Sequence, residues 1–358
     1  MLKKVAALLL VSASMSAWLG CGTTSNRYLY AAIPASNEIV IYREDPNAGV
    51  LTQLAGSPVT AGQAVQSLAL HPSNKFLYAA NSGSNNISLY AVGSDGSIAE
   101  ITPRTDAGTS PTLLVMDSAG TYLYAANSGS FDISVFSIDQ SSGALTPVTQ
   151  ATGGTTAPIG MTPINMELSP AGNLYVTGQG LQGFIQEFPV TAGVLGEPVA
   201  GSPFLTGNNP YGLTIDAGGT FLYTANKVDN TLSEFAINAD GSLTELAGSP
   251  IGETFIGPVN LMIDKSGKYL YVANQGSTNI AAYSIGSDGT LTLLTSSPFG
   301  SAAQPLTMTS DPSGKYLFVG NQSTPVIQSF SLDSNTGNLT SISTYSVPGT
   351  PTSIVVRP

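Results

Sequence analysis

The sequence predicts an all-β protein, a seven-bladed β-propeller with four antiparallel strands per blade. Three observations carry that expectation: a short aromatic strand recurs seven times, each recurrence opens a period that reads as four strands, and the chain ends on the one strand its first period lacks.

The recurring strand is Tyr28-Leu29-Tyr30, Phe76-Leu77-Tyr78, Tyr122-Leu123-Tyr124, Asn173-Leu174-Tyr175, Phe221-Leu222-Tyr223, Tyr269-Leu270-Tyr271 and Tyr316-Leu317-Phe318. Successive copies lie 48, 46, 51, 48, 48 and 47 positions apart, so seven periods fill the chain after its leader and leave no room for a second domain. An alternating strand follows each copy, as in Asn86-Ile87-Ser88-Leu89-Tyr90. Asp95-Gly96, Asp240-Gly241 and Asp288-Gly289 are tight-turn pairs leading into a third strand such as Ser242-Leu243-Thr244-Glu245-Leu246. A Gly, Ser and Pro-rich loop then reaches a Pro-led strand such as Pro258-Val259-Asn260-Leu261-Met262-Ile263, which closes on a turn with Asp264 and Gly267. The last strand, Thr352-Ser353-Ile354-Val355-Val356, has nothing after it and is expected to complete the first blade.

Composition agrees. Charged residues are 9% of the chain against 39 Gly and 23 Pro, which excludes helix bundles and charge-rich disordered chains. The net charge of -11 comes without any basic block, so nucleic acid is not an expected partner.

Residues 1–20 read as a signal peptide: Lys3 and Lys4 precede an apolar run from Val5 to Met15, too short for a permanent span. Trp18-Leu19-Gly20-Cys21 resembles the bacterial lipobox, so Cys21, the sole cysteine, is expected to carry a lipid anchor and residues 21–27 a linker to the propeller at 28–358. The expected place is the cell envelope, lipid-anchored to an outer membrane or cell surface, with a soluble secreted or periplasmic protein as the alternative. The membrane would be met through the anchor alone.

The blade pattern Tyr269-Leu270-Tyr271-Val272-Ala273-Asn274, with its Asn-Ile strand, Asp-Gly turn and Pro-led strand ending in Asp-x-x-Gly-Lys, resembles the seven-bladed lactonase-family propellers. That family includes 6-phosphogluconolactonases and muconate-lactonising cycloisomerases and shades into YVTN-type surface propellers. The resemblance implies the fold across residues 27–358. It also implies a His, Glu and two-Arg constellation near the channel mouth in the cycloisomerases, which this sequence does not reproduce.

Turns after the first and third strands of a blade are short and uniform, while loops after the second and fourth vary, up to the stretch Thr149 to Pro163. The variable rim is therefore the expected binding face. His71, the only histidine, stands in the turn slot that Asp117, Asp216, Asp264 and Asp311 fill elsewhere and reads as structural. Asn81, Asn127, Asn226, Asn274 and Asn321 read as loop-holding residues bonding to backbone. No loop carries calcium-type ligand spacing, and neither a metal nor a cofactor is expected.

On the innermost strand Leu68, Leu114, Met166, Leu213, Leu261, Met308 and Ile354 form an apolar set. Beside them, rings containing Asn165, Asn260 and Thr307, and one position further along Glu167, should face the channel. Glu167 is the only acid in either ring, and desolvation there would suit it to proton transfer. Of the basic residues, Arg104 and Lys227 are assigned to variable-rim loops.

Two functions follow. The first is an exported binding or interaction scaffold, a monomer, with its ligand site on the variable rim and a small neutral lactone or sugar, or an envelope protein, as partner. The second is a hydrolase opening a neutral lactone, with Glu167 as general base and Arg104 or a rim Asn stabilising the oxyanion, while Asn165, Asn260, Thr307 and Lys227 bind the ligand. A purely structural surface protein is a third reading.

Overall fold

The computed structural model describes residues 26–179, 182–252 and 254–358. The leader, its cleavage site and Cys21 lie outside them. Seven antiparallel sheets stand in a ring, and six of them are built in chain order from the channel outward. In blade 2 Val65–Leu70 is innermost, followed by Phe76–Asn81, Asn86–Val92 and Ile98–Asp106. Blade 1 is closed by the end of the chain. Ser353–Arg357 pairs with Arg27–Ile33, setting Tyr28 opposite Arg357 and Ala32 opposite Ser353. Arg27 belongs to that strand rather than to the linker, and its guanidinium reaches Asp311 of blade 7 at 2.5 Å.

The aromatic repeat has a double role between blades. Its first residue lies against the glycine of the next blade's turn: a Cβ on Gly96 would stand 2.1 Å from the Tyr28 ring, and one on Gly289 would stand 2.3 Å from Phe221. Only a residue without a side chain, tolerant of the positive φ both turns adopt, fits that contact. The third residue sends its phenol to the same glycine's carbonyl. Tyr30 donates to Gly96, Tyr78 to Gly143, Tyr175 to Gly241, Tyr223 to Gly289 and Tyr271 to Gly337, at 2.7–3.0 Å. The leucine between them, Leu77 or Leu270 for example, is fully buried on the opposite face. One strand thus knits its blade to both neighbours.

The outer strand differs from the sequence expectation. In five blades it is broken into two short pieces that both pair with the third strand, as Leu51–Gln53 and Val59–Thr60 do with Glu38–Glu44. In four of these breaks a serine preceding a cis-proline accepts a third-strand N–H that the ladder leaves free. Ser57 takes Ile41, Ser202 takes Glu187, Ser249 takes Glu234 and Ser297 takes Ala282. The expected long loop from Thr149 to Pro163 likewise contains the strand Thr156–Pro158 and the start of the inner strand Thr162–Leu168.

Candidate functional site

The inner strands converge on an open cavity of about 360 Å³ at the end of the channel. Two positions from each of seven blades line it, among them Gln66 and Ser67, Thr112 and Leu113, Ile164 and Asn165, Tyr211 and Leu213, Val259 and Asn260, Leu306 and Thr307, and Thr352 and Ser353. Six of the strands are bulged where they enter. The register shifts between Val65 and Ser67, between Pro210 and Gly212 and between Pro258 and Asn260, and the residue left over in each case, Gln66, Tyr211 or Val259, lines the mouth. In five of the six the bulge follows a proline that gives no N–H to the ladder, and in blade 2 it follows Val65.

The inner edge of each strand meets no further strand, and side chains take over its bonding. Ser353 Oγ accepts the Leu68 N–H at 3.1 Å, Ser67 Oγ that of Leu114 at 3.0 Å, and Asn260 Oδ1 that of Met308 at 3.1 Å. Asn165 is fully engaged: its Oδ1 accepts its neighbour Met166 N–H at 2.8 Å and its Nδ2 donates to the Tyr211 carbonyl at 3.2 Å. The amide NH2 of Asn260 and the hydroxyl of Thr307, by contrast, have no protein partner among the described residues and face the cavity.

Glu167 lies two residues beyond Asn165 on the same strand, about 7 Å deeper along the channel wall. It keeps part of its surface open to the channel. Burial pushes its carboxyl up to about 8, against the opposing pull of the Ile215 backbone N–H from the next blade. Lys227, on the loop after Phe221–Asn226, holds its ammonium 4.7 Å from the centre of the Tyr211 ring, and burial lowers its pKa.

Asn165, Asn260 and Thr307 are thus brought to one cavity lining, while Glu167 lies deeper on the channel wall and Lys227 stands behind the mouth residue Tyr211. Arg104 is not brought there. It lies within the strand Ile98–Asp106, the outermost of blade 2, and is fastened to Glu100 by bonds of 2.6 and 3.2 Å. Its assignment to a variable-rim loop is corrected on that ground: blade 2 has an unbroken outer strand, so the residues read as loop are ladder. Tyr211 is among the cavity residues that sequence reasoning missed, with Gln66, Thr112, Ile164, Val259, Leu306 and Thr352, and its signal was its place directly after the proline of a Pro-led strand.

His71 is a turn residue. Its Nδ1 accepts the Ser73 N–H at 3.1 Å and its Nε2 bonds the Gly120 carbonyl of blade 3 at 3.0 Å, with 2% of its surface exposed. The recurring asparagines also hold loops, through side chains more than through backbone: Asn81 donates to Asn86 and Ser88, Asn127 to Asp132 and Ser134, and Asn226 to Thr231 and Ser233.

The family model for the lactonase, 7-bladed beta-propeller, matches residues 23–159, 197–303 and 267–356. Among solved structures, a 6-phosphogluconolactonase candidate from Bacteroides fragilis superposes with a TM-score of 0.79 at 23% identity, covering 94% of this chain and 99% of that one. A second such candidate, from Bacteroides uniformis, gives 0.80 at 20% identity over 93% of this chain and 100% of its own. The periplasmic gluconolactonase of Pseudomonas aeruginosa gives 0.74 at 19% identity over 93% and 99%. At these identities the superpositions speak for the fold. No curated protein matches the sequence.

Proposed function

This chain belongs to the lactonase family of seven-bladed β-propellers, and we propose on that premise that it hydrolyses a small neutral lactone in its central cavity. The observation that carries the reading is Glu167, the one acid in the two inner-strand rings among the described residues, desolvated and set below a cavity with unspent hydrogen-bond donors. The lactone enters from the mouth with its carbonyl toward Glu167. A water between them gives a proton to the carboxylate as its oxygen bonds to the carbonyl carbon. The Asn260 amide and the Thr307 hydroxyl donate to the developing oxyanion, a role that does not fall to Arg104. Collapse breaks the ring C–O bond, and the proton held on Glu167 goes to the leaving alkoxide. The product is a hydroxy acid that ionises, and a protein of net charge -11 repels it.

The same charge sets the substrate class. Lys227 is the only cation we place at the mouth, and it is turned onto Tyr211. Lys265, on the turn-bearing rim, spends its ammonium on the Pro312 carbonyl. A phosphorylated lactone finds no cationic cradle in the cavity lining. The scaffold reading retains one observation: Phe131, Val228 and Ile256 are exposed apolar side chains on loops at this same rim, and Leu205 is exposed on the short strand beside them. The hydrolase reading has the stronger support, from the family and from relatives whose names carry lactonase activity.

Placement outside the cytoplasm, with lipid on Cys21, is part of the same proposal. It draws support from the leader sequence and from the periplasmic relative. The chain enters its first strand at the turn-bearing rim, so a tether there directs the cavity away from the membrane. Proton release by the purified protein tests the activity. We expect turnover of neutral five- or six-membered lactones above the spontaneous rate and at least tenfold lower kcat/KM on 6-phosphogluconolactone. Silence on every lactone from a folded protein returns the molecule to the scaffold reading.

A further inference from the structure

A groove of about 500 Å³ opens between blades 3 and 4 on the turn-bearing rim, at the opposite end from the central cavity. One short hairpin creates it. In blade 4 Thr191 pairs with Val194, leaving only Ala192 and Gly193 in the turn, both at positive φ, the geometry of a two-residue hairpin. Blade 2 has residues 93–97 at this place between Val92 and Ile98, and blade 5 has residues 238–242 between Ile237 and Leu243. The rim the sequence presents as uniform therefore has a notch.

The notch strands a hydroxyl. Gly193 still lies against the Tyr122 ring, as its counterparts do in other blades. Its carbonyl, however, is taken by Gln150 Nε2 at 3.2 Å, so Tyr124 is denied the acceptor that Tyr30, Tyr78, Tyr175, Tyr223 and Tyr271 use. Tyr124 is 2% exposed, lines the groove, and makes no hydrogen bond among the described residues. Burial, with the nearby Asp117 carboxylate and Tyr122, raises its pKa and keeps it a donor. Asp117 also lines the groove. Its Oδ1 accepts the Thr121 and Tyr122 N–H groups at 2.6 and 2.8 Å, and its Oδ2 has no partner among the described residues.

A donor and a carboxylate acceptor side by side select the ligand. Only a group that both accepts and donates satisfies the pair, which an ammonium cannot do for Tyr124 and a carboxylate cannot do for Asp117. No Lys, Arg or His lines the groove, which disfavours anions, while Met116, Leu168 and Val190 supply an apolar wall. We propose that this groove is a second ligand site that takes a neutral hydroxylated ring of the monosaccharide class, its hydroxyls on Tyr124 and Asp117 and its C–H face on the apolar wall. It is separate from the lactone reading and stands or falls without it.

Saturation-transfer NMR on the full purified chain tests it, with methyl β-D-glucopyranoside, methyl β-D-galactopyranoside and N-acetylglucosamine as probes and tetramethylammonium as the cationic control. The expected result is transfer to at least one sugar with a millimolar Kd. Tyr124→Phe and Asp117→Asn each weaken it at least fivefold, and Glu167→Gln, in the other site, leaves it unchanged. Tyr124→Phe should melt with the parent, whereas Tyr78→Phe, which loses a bond to Gly143, should melt lower. Silence from all three sugars, binding of the cation alone, undiminished binding in Tyr124→Phe, or loss of binding in Glu167→Gln overturns the proposal.

Discussion

At the scale of the residue, two carboxylates of blade 4, on strands that flank Asn173–Gln179 from opposite sides, show how environment divides labour. Glu167 borders the channel, where a desolvated acid can exchange a proton with a guest. Glu187 is wholly buried between blades, with Oε1 unpaired and Oε2 accepting only a long bond from Val199 at 3.4 Å. Burial pushes its pKa up to about 7, opposed by the Val199 N–H and assisted by Asp240. Because the folded protein holds this proton more tightly than the unfolded chain, its stabilising share is full below about pH 4.5 and is lost as pH rises through 7, on the order of 3 kcal/mol at most. Glu187→Gln should therefore lose less stability than the parent between pH 5 and pH 8, as read by urea midpoints. Equal losses in the two proteins would remove the assignment. The sequence marked Glu167 by its solitude in a ring of neutral side chains, but Glu187 occupies a slot filled by Leu89 and Ala282 elsewhere and gave no sign of where it points. His71 was legible because its turn slot recurs with Asp.

Elements are where periodicity spoke most clearly and where it reached its limit. The aromatic strand, its Asn-Ile partner and the Pro-led strand were readable from alternation and turn chemistry, because each obeys one rule along its whole length. The outer strand was not. Its ladder is interrupted by a turn whose missing bond is restored by a serine hydroxyl, a substitution that leaves no period of two to detect. That same irregularity hid Arg104, whose blade keeps the outer strand whole. Ser249→Ala removes the acceptor of the Glu234 N–H, and we expect about 1 kcal/mol lower stability by thermal or urea unfolding. A variant as stable as the parent would make the serine incidental to the break. The bulges at the inner strands lie at the same limit. The proline preceding Tyr211 was visible, but the extra residue it throws toward the axis follows only from the register of pairing.

For the whole molecule, closure and charge are the two facts from which function proceeds. The ring is shut by nine residues at the end of the chain, since Ser353–Arg357 is the inner strand of blade 1 and Ser353 also accepts the Leu68 N–H of blade 2. Deleting residues 350–358 opens an edge on both neighbours. We expect a truncated protein to lose its cooperative melt and to aggregate, and a melt as sharp and as high as the parent's would refute the closure. The count of seven blades was legible because the repeat is long and strict. The site was legible in part, because a channel needs only the inner strands to be aligned. Which side chains on it are already spent on neighbouring blades, as Asn165 is, could be read only from the bonds themselves.

The pH–rate profile of neutral-lactone hydrolysis, run on the parent and on Glu167→Gln with the spontaneous rate subtracted, tests the central claim most directly. A base with its pKa near 8 predicts kcat/KM rising about tenfold per pH unit from 6 toward 8 and levelling above it, with at least a hundredfold loss in the variant. A profile flat across that range, or a variant as fast as the parent, would contradict it.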